Sequence, residues 1–123
     1  MAYLTDRKRA VGMGSAKSGT AHHWRMMVTS VALLPLTVLF IFTFGVALGM
    51  PYEEAAAYYG RPVPALIALL TLTVGWFHFK DGVQALIEDY TGGTTRKALI
   101  IGSICLSWAA LAASALAIVR IAL

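Results

Sequence analysis

The segment from His78 to Tyr90, HFKDGVQALIEDY, sets a histidine, a glycine four residues on and an Asp89-Tyr90 pair at the end of an otherwise apolar run. An imidazole in hydrocarbon must find a polar partner or a metal. At about 100° per residue, Gly82 lies roughly 40° around a helix from His78, Ala85 about 20° the other way, and Asp89 about 20° away. One stripe then carries the imidazole, two small residues and a carboxylate, and Gly82 leaves room beside the ring for something flat and large. Tyr90 falls roughly 18 Å further along the axis than His78. A single helix thus offers a redox centre within a membrane and a polar pocket near its edge. Residue chemistry leaves two readings of His78 open: the axial ligand of a haem, or a hydrogen-bonding partner of a neighbouring helix.

The elements that must position these residues are membrane helices. Of 123 residues, 59% are hydrophobic and 13% charged, which leaves too little polar surface for a soluble domain of this size. Uncharged runs over 26–52, 62–79 and 98–119 each approach or exceed the ~18–20 residues needed to cross a hydrocarbon core. The expected fold is an all-α membrane protein with three transmembrane helices, at about 22–49, 63–89 and 97–122, in a single transmembrane domain over 22–123. Pro35 is expected to kink the first helix. The loop over 51–62, with Glu53, Glu54 and Tyr58-Tyr59, suits a short helical turn at the headgroup level. The second helix is longer than the hydrocarbon is thick, so its far end tilts or projects, and Lys80 and Asp81 need not lie at mid-membrane.

Residues 1–21, with Gly12, Gly14, Ser15, Ser18 and Gly19 among basic side chains, read as a flexible cytoplasmic arm whose order would need a partner. They lack the apolar core of a cleavable signal peptide, so the first helix is expected to target the chain. Arg7, Lys8, Arg9, Lys17 and Arg25 precede the first helix, and Arg96 and Lys97 lie in the second loop. The positive-inside rule then predicts a cytoplasmic N-terminus and an outward-facing C-terminus. The net charge of +4 reads as topology rather than nucleic-acid binding, since no basic stripe is interleaved with aromatics. Cys105 stands alone in an apolar helix, is expected to be a buried packing residue, and excludes any disulfide or cysteine-built cluster within this chain. The third helix carries Gly102, Ser103, Ser107, Ala110 and Ser114, with small residues four apart at 103/107 and 110/114, and this face is expected to serve close helix packing. Lys80 and Asp81, adjacent and therefore about 100° apart, are expected to snorkel or bond another subunit rather than each other.

The pattern His78-x3-Gly82-x6-Asp89-Tyr90 on the second of three helices resembles the hydrophobic membrane-anchor subunits, D type, of succinate dehydrogenase, the respiratory complex II. The segment His22-His23-Trp24-Arg25-Met26-Met27-Val28-Thr29-Ser30 resembles the way that family begins its first helix, so the likeness spans about residues 15–123. It implies that the chain is half of a heterodimeric helical anchor in the bacterial inner membrane. His78 matches the axial ligand of a haem b whose second histidine comes from the C-type partner anchor, and Gly82 gives the haem clearance. Tyr90 matches the tyrosine that donates a hydrogen bond to a ubiquinone carbonyl, with Asp89 as its acidic neighbour.

The family's arginine just before the Thr-Ser pair of the first helix is replaced here by Met27 and Val28, which makes Arg25, His22 or His23 the candidate contact of a haem propionate. Both histidines precede the apolar run and are read first as interfacial residues or as contacts with another subunit. The chain has no dinucleotide fingerprint and no cysteine cluster, so the resemblance assigns flavin and iron–sulfur chemistry to a flavoprotein and an iron–sulfur subunit tethered by the anchors. Alone, the chain is not expected to be catalytic; it forms one wall of a quinone-reduction site. Two rivals stand beside this reading. One is a fumarate reductase anchor, and the other is a small transport or structural protein in which His78, Lys80 and Asp81 form a proton-coupled site.

Overall fold

The computed structural model describes residues 3–14 and 19–123, and these are helical throughout apart from short connections. In chain order the helices are α1 (Asp6–Val11), α2 (Gly19–Ala47), α3 (Tyr52–Tyr59), α4 (Pro62–Tyr90) and α5 (Gly93–Ala122). The three long helices, α2, α4 and α5, are each apolar and long enough to cross a membrane. Residues 1, 2 and 15–18, including Ser15, Lys17 and Ser18 of the expected arm, lie outside the described residues.

Local chemistry explains most helix ends. The Thr5 hydroxyl accepts from the Lys8 amide at 3.3 Å and caps α1, with Asp6 in the first turn, so part of the arm expected to be flexible is helical. Gly49, at φ +84°, supplies the left-handed residue after α2, and Pro51 stands at the N-cap of α3. Pro62 occupies the first turn of α4, where its missing N–H costs nothing. The connection from α4 to α5 is shorter than the sequence pattern predicts. Only Thr91 and Gly92 separate the two helices, because Gly93 takes φ +60° and Arg96 Nε donates to the Thr91 carbonyl at 2.6 Å across the turn. The third membrane helix therefore begins at Gly93 rather than near 97.

α4 is the central helix, packed against both α2 and α5, while α3 lies against the ends of α4 and α5. The seam between α2 and α4 runs antiparallel, with Thr29 meeting His78 and Leu36 meeting Thr71 further along. On α5 the inward stripe is the small-residue face: Ser107 is only 3% exposed, Ser103, Ala110 and Ser114 are half-buried, and Trp76 Nε1 donates to Ser114 Oγ at 3.2 Å. The serine hydroxyls also donate within the helix, Ser107 to the Ser103 carbonyl at 2.7 Å and Ser114 to the Ala110 carbonyl at 2.6 Å. Short side chains let the backbones approach, which is how helices associate where lipid removes the hydrophobic incentive.

Cys105 corrects the expectation placed on it, because it is exposed on the outer face of α5. It lies two positions after Ser103, about 200° around the helix, so the side that buries Ser103 and Ser107 turns Cys105 away. In α3, Tyr58 and Tyr59 meet edge to face with centroids 5.3 Å apart. The Tyr59 hydroxyl is buried without a hydrogen-bond partner among the described residues. Burial, and secondarily Tyr58, pushes its phenol above the usual value.

The tight α4–α5 seam makes a size-specific prediction. Ser107→Leu should destabilise the helix pair by about 1–3 kcal/mol through overpacking, whereas Leu106→Ala, on the exposed face, should leave it nearly unchanged. Thermal unfolding of the purified membrane complex compares the two.

Candidate functional site

The predicted site residues separate into three places along α4. His78 is half-buried where α4 faces α2, with Nδ1 3.0 Å from Thr29 Oγ1. It borders an open cleft of about 380 Å³ whose other walls are Ser30, Leu33, Leu34, Thr37 and Val38 of α2. A Cβ added at Gly82, one turn along, would meet nothing within 4 Å, so the helix surface beside the imidazole is unobstructed. An apolar cleft, an imidazole whose Nδ1 is already engaged and a bare glycine fit a flat macrocycle ligated through Nε2. The described residues contain no group of three or more His, Cys, Asp or Glu placed to hold a bare metal ion.

Asp89 and Tyr90 close α4, and both are exposed, Tyr90 to 83%. Within this chain they form an edge open to another molecule rather than an enclosed pocket. The segment continues without a break from His78, so the roughly 18 Å axial offset between His78 and Tyr90 predicted for a helix applies here.

The third place joins residues that the sequence named separately. Asp81 is 2% exposed, and three basic side chains converge on its carboxylate. Lys80 Nζ donates to Oδ1 at 2.6 Å, Arg25 Nε lies 3.5 Å from Oδ2, and His22 Nε2 lies 3.7 Å from Oδ1. Lys80 and Asp81 thus pair with each other, contrary to the expectation from their 100° separation. The lysine stem is long enough to carry its ammonium back around the helix to the neighbouring carboxylate. Arg25 and His22, candidate propionate contacts by sequence, are both turned to Asp81, while His23 is exposed. His22 Nε2 is buried and makes no hydrogen bond among the described residues, 3.7 Å being too long for one.

The cluster borders a second cleft of about 380 Å³, lined by Trp24, Arg25, Val28, Thr29, Phe77, Lys80, Asp81 and Trp108. Phe77 and Trp108 meet edge to face across α4 and α5 with centroids 5.5 Å apart. The structure does not bring His78, Lys80 and Asp81 into one polar site: His78 bonds α2 through Thr29, whereas Lys80 and Asp81 bond each other. The signal for the cluster was present in the spacing of His22, Arg25 and Thr29, at i, i+3 and i+7 on one face of α2. What the pattern lacked was the register that sets this face against Asp81.

An uncompensated buried charge costs far more than a solvated one, which ranks the variants at this cluster. Asp81→Asn, which removes the charge and keeps the shape, should destabilise the α2–α4 pairing by about 3–5 kcal/mol by leaving Lys80 unpaired. Arg25→Gln should cost less than about 1 kcal/mol, because Arg25 is largely exposed and Lys80 still neutralises the carboxylate. Denaturation midpoints of the two variants in one detergent would show the ordering.

The family described as succinate dehydrogenase/fumarate reductase transmembrane subunit matches residues 1–119. The chain is also 49% identical over 123 residues to the succinate dehydrogenase hydrophobic membrane anchor subunit of Paracoccus denitrificans, covering all of this chain and 95% of that protein. No solved structure matches the chain. A match along nearly the whole length accompanies three helices long and apolar enough to cross a membrane, and the chain belongs to the family of succinate dehydrogenase/fumarate reductase transmembrane subunits.

Proposed function

We propose that this membrane anchor holds one side of a haem b through His78 and one edge of a ubiquinone-reduction site through Tyr90 and Asp89, each site being completed by other subunits. The observation that carries the reading is the setting of His78: an imidazole held at Nδ1 by Thr29, beside an apolar cleft and an unobstructed glycine. His78 would hold the haem through Nε2, and a histidine of the C-type partner anchor would be the other ligand. Bound there, a bis-histidine haem b would offer a one-electron centre with no open iron position. Gly82 keeps the helix surface low beside the ring. The apolar walls of the cleft exclude water and favour a hydrophobic cofactor over a hydrated ion.

Tyr90 donates its phenolic hydrogen to a quinone carbonyl oxygen, and a phenol does this while remaining neutral at an apolar edge. Its exposure in the single chain suits a site whose remaining walls belong to other subunits. Asp89 beside it is the acidic group through which protons reach that edge. Flavin and iron–sulfur chemistry lie in the flavoprotein and iron–sulfur subunits, which the two anchors tether at the basic end of the bundle. In this reading that end faces the cytoplasm of a bacterium and the C-terminus faces outward. The physiological direction, succinate oxidation or fumarate reduction, follows from comparing succinate–ubiquinone with quinol–fumarate activity in the intact complex.

Two variants test the assignments separately. His78→Ala should abolish the reduced-minus-oxidised haem b bands of the assembled complex; unchanged bands would overturn the ligand assignment. Tyr90→Phe, which removes one hydroxyl and keeps the ring, should lower ubiquinone reduction about 10²-fold or more while sparing succinate oxidation with an artificial acceptor. Unaltered ubiquinone turnover would remove Tyr90 from the site.

A further inference from the structure

The Thr29 hydroxyl oxygen lies 2.9 Å from the Arg25 carbonyl, 3.1 Å from the Met26 carbonyl and 3.0 Å from His78 Nδ1. A hydroxyl has one hydrogen to donate and two lone pairs with which to accept. Both carbonyls only accept, and a helical threonine characteristically donates to the carbonyl three or four residues earlier. With its hydrogen directed into α2, Thr29 presents a lone pair to the imidazole. Nδ1 must then carry the ring hydrogen, and Nε2 keeps its lone pair free.

We propose that Thr29 is a positioning residue for His78: by accepting from Nδ1–H it holds the imidazole in the tautomer and orientation whose Nε2 can coordinate a haem iron. This rests on the haem reading above and adds to it the group that makes the ligand competent. The opposite tautomer would place a hydrogen on Nε2 and block coordination. The bond also acts on the iron's electronics. An imidazole that donates from Nδ1 is the more basic ligand through Nε2 and favours the ferric state. Thr29 is itself well anchored, since Arg25, one turn before it on α2, lies against Asp81 of α4. On the other side Thr71 Oγ1 lies 3.4 Å from the Leu36 carbonyl, so the same two helices touch on both sides of the contact that orients the ring.

The test is a potentiometric titration of the haem, with low-temperature electron paramagnetic resonance, in intact membrane complexes carrying Thr29→Val, Thr29→Ala, Thr29→Ser or His78→Ala. At the potential where the wild-type haem is half reduced, the Val and Ala variants should show a several-fold excess of reduced haem and displaced ferric g-values. Thr29→Ser, which restores the hydroxyl, should return both to wild type. A change in helix packing alone would follow side-chain size rather than the presence of a hydroxyl. Val and Ala variants that titrate as wild type, or a Ser variant that shifts with them, would overturn the proposal. Failure of both the Val and Ala complexes to assemble would also overturn it, because losing a hydroxyl that only orients a ring leaves the helices paired. Haem bands surviving in His78→Ala would instead refute the ligand assignment, leaving Thr29 with no ligand to orient.

Discussion

A carboxylate with 2% of its surface exposed, set in a helix whose other residues are mostly apolar, must be met by cations or it will not remain charged and buried. Asp81 is met by Lys80 from its own helix and by Arg25 and His22 from α2. In lipid, helices gain little by hiding leucine from a solvent as apolar as leucine, so polar and close-packed contacts decide which helices pair and in what register. For α2 and α4 the Asp81 cluster is one of three such contacts, with Thr29 against His78 and Thr71 against Leu36. Once Arg25 lies against Asp81, the antiparallel seam sets Thr29 against His78 one turn along and Leu36 against Thr71 beyond it. The other side of α4 is held by different means: Ser103, Ser107 and Ser114 admit α5 closely, and the Trp76 indole donates across the seam.

This arrangement gives α4 two different sides. His78 looks onto the cleft along α2, with Gly82 unobstructed one turn away, whereas Phe77 and Lys80 look onto a cleft closed by Trp24 and Trp108. The charged cluster lies between the seam and the second cleft, so the imidazole is left with a neutral hydroxyl partner rather than a carboxylate or an ammonium. A neutral partner holds the ring without imposing a charge. Much of the remaining surface is apolar and exposed, including Val31, Leu34, Val38 and Phe42 on α2. Lipid and a second membrane subunit are the environments in which such a surface costs nothing.

The three membrane helices were legible because each needs only length and an absence of charge, and both are local properties. The small-residue face of α5 was legible for a similar reason, since its four-residue spacing is written along one helix. Cys105 was not, because whether an apolar helix position is buried depends on which side the neighbouring helix takes, and the serines decided that. The α4–α5 turn was misjudged because Gly93 needs only one left-handed residue to reverse the chain, and Thr94 and Thr95 then continue as helix. The pairing of Lys80 with Asp81 was missed because angular separation describes where side chains leave the backbone rather than where a flexible four-carbon stem ends.

The sequence by itself determined the class of protein, the number of spans and the stripe of His78, Gly82 and Asp89 on one helical face, because hydropathy and helical periodicity act between residues near one another in the chain. The motif order from His22 to Tyr90 resembles that of the family, and it too is written along the chain. Only the tertiary structure decided which side chains oppose these residues across α2. Thr29 and His78 are 49 positions apart, and Arg25 and Asp81 meet across a similar gap. Such contacts depend on the relative register of two helices, which no local pattern specifies.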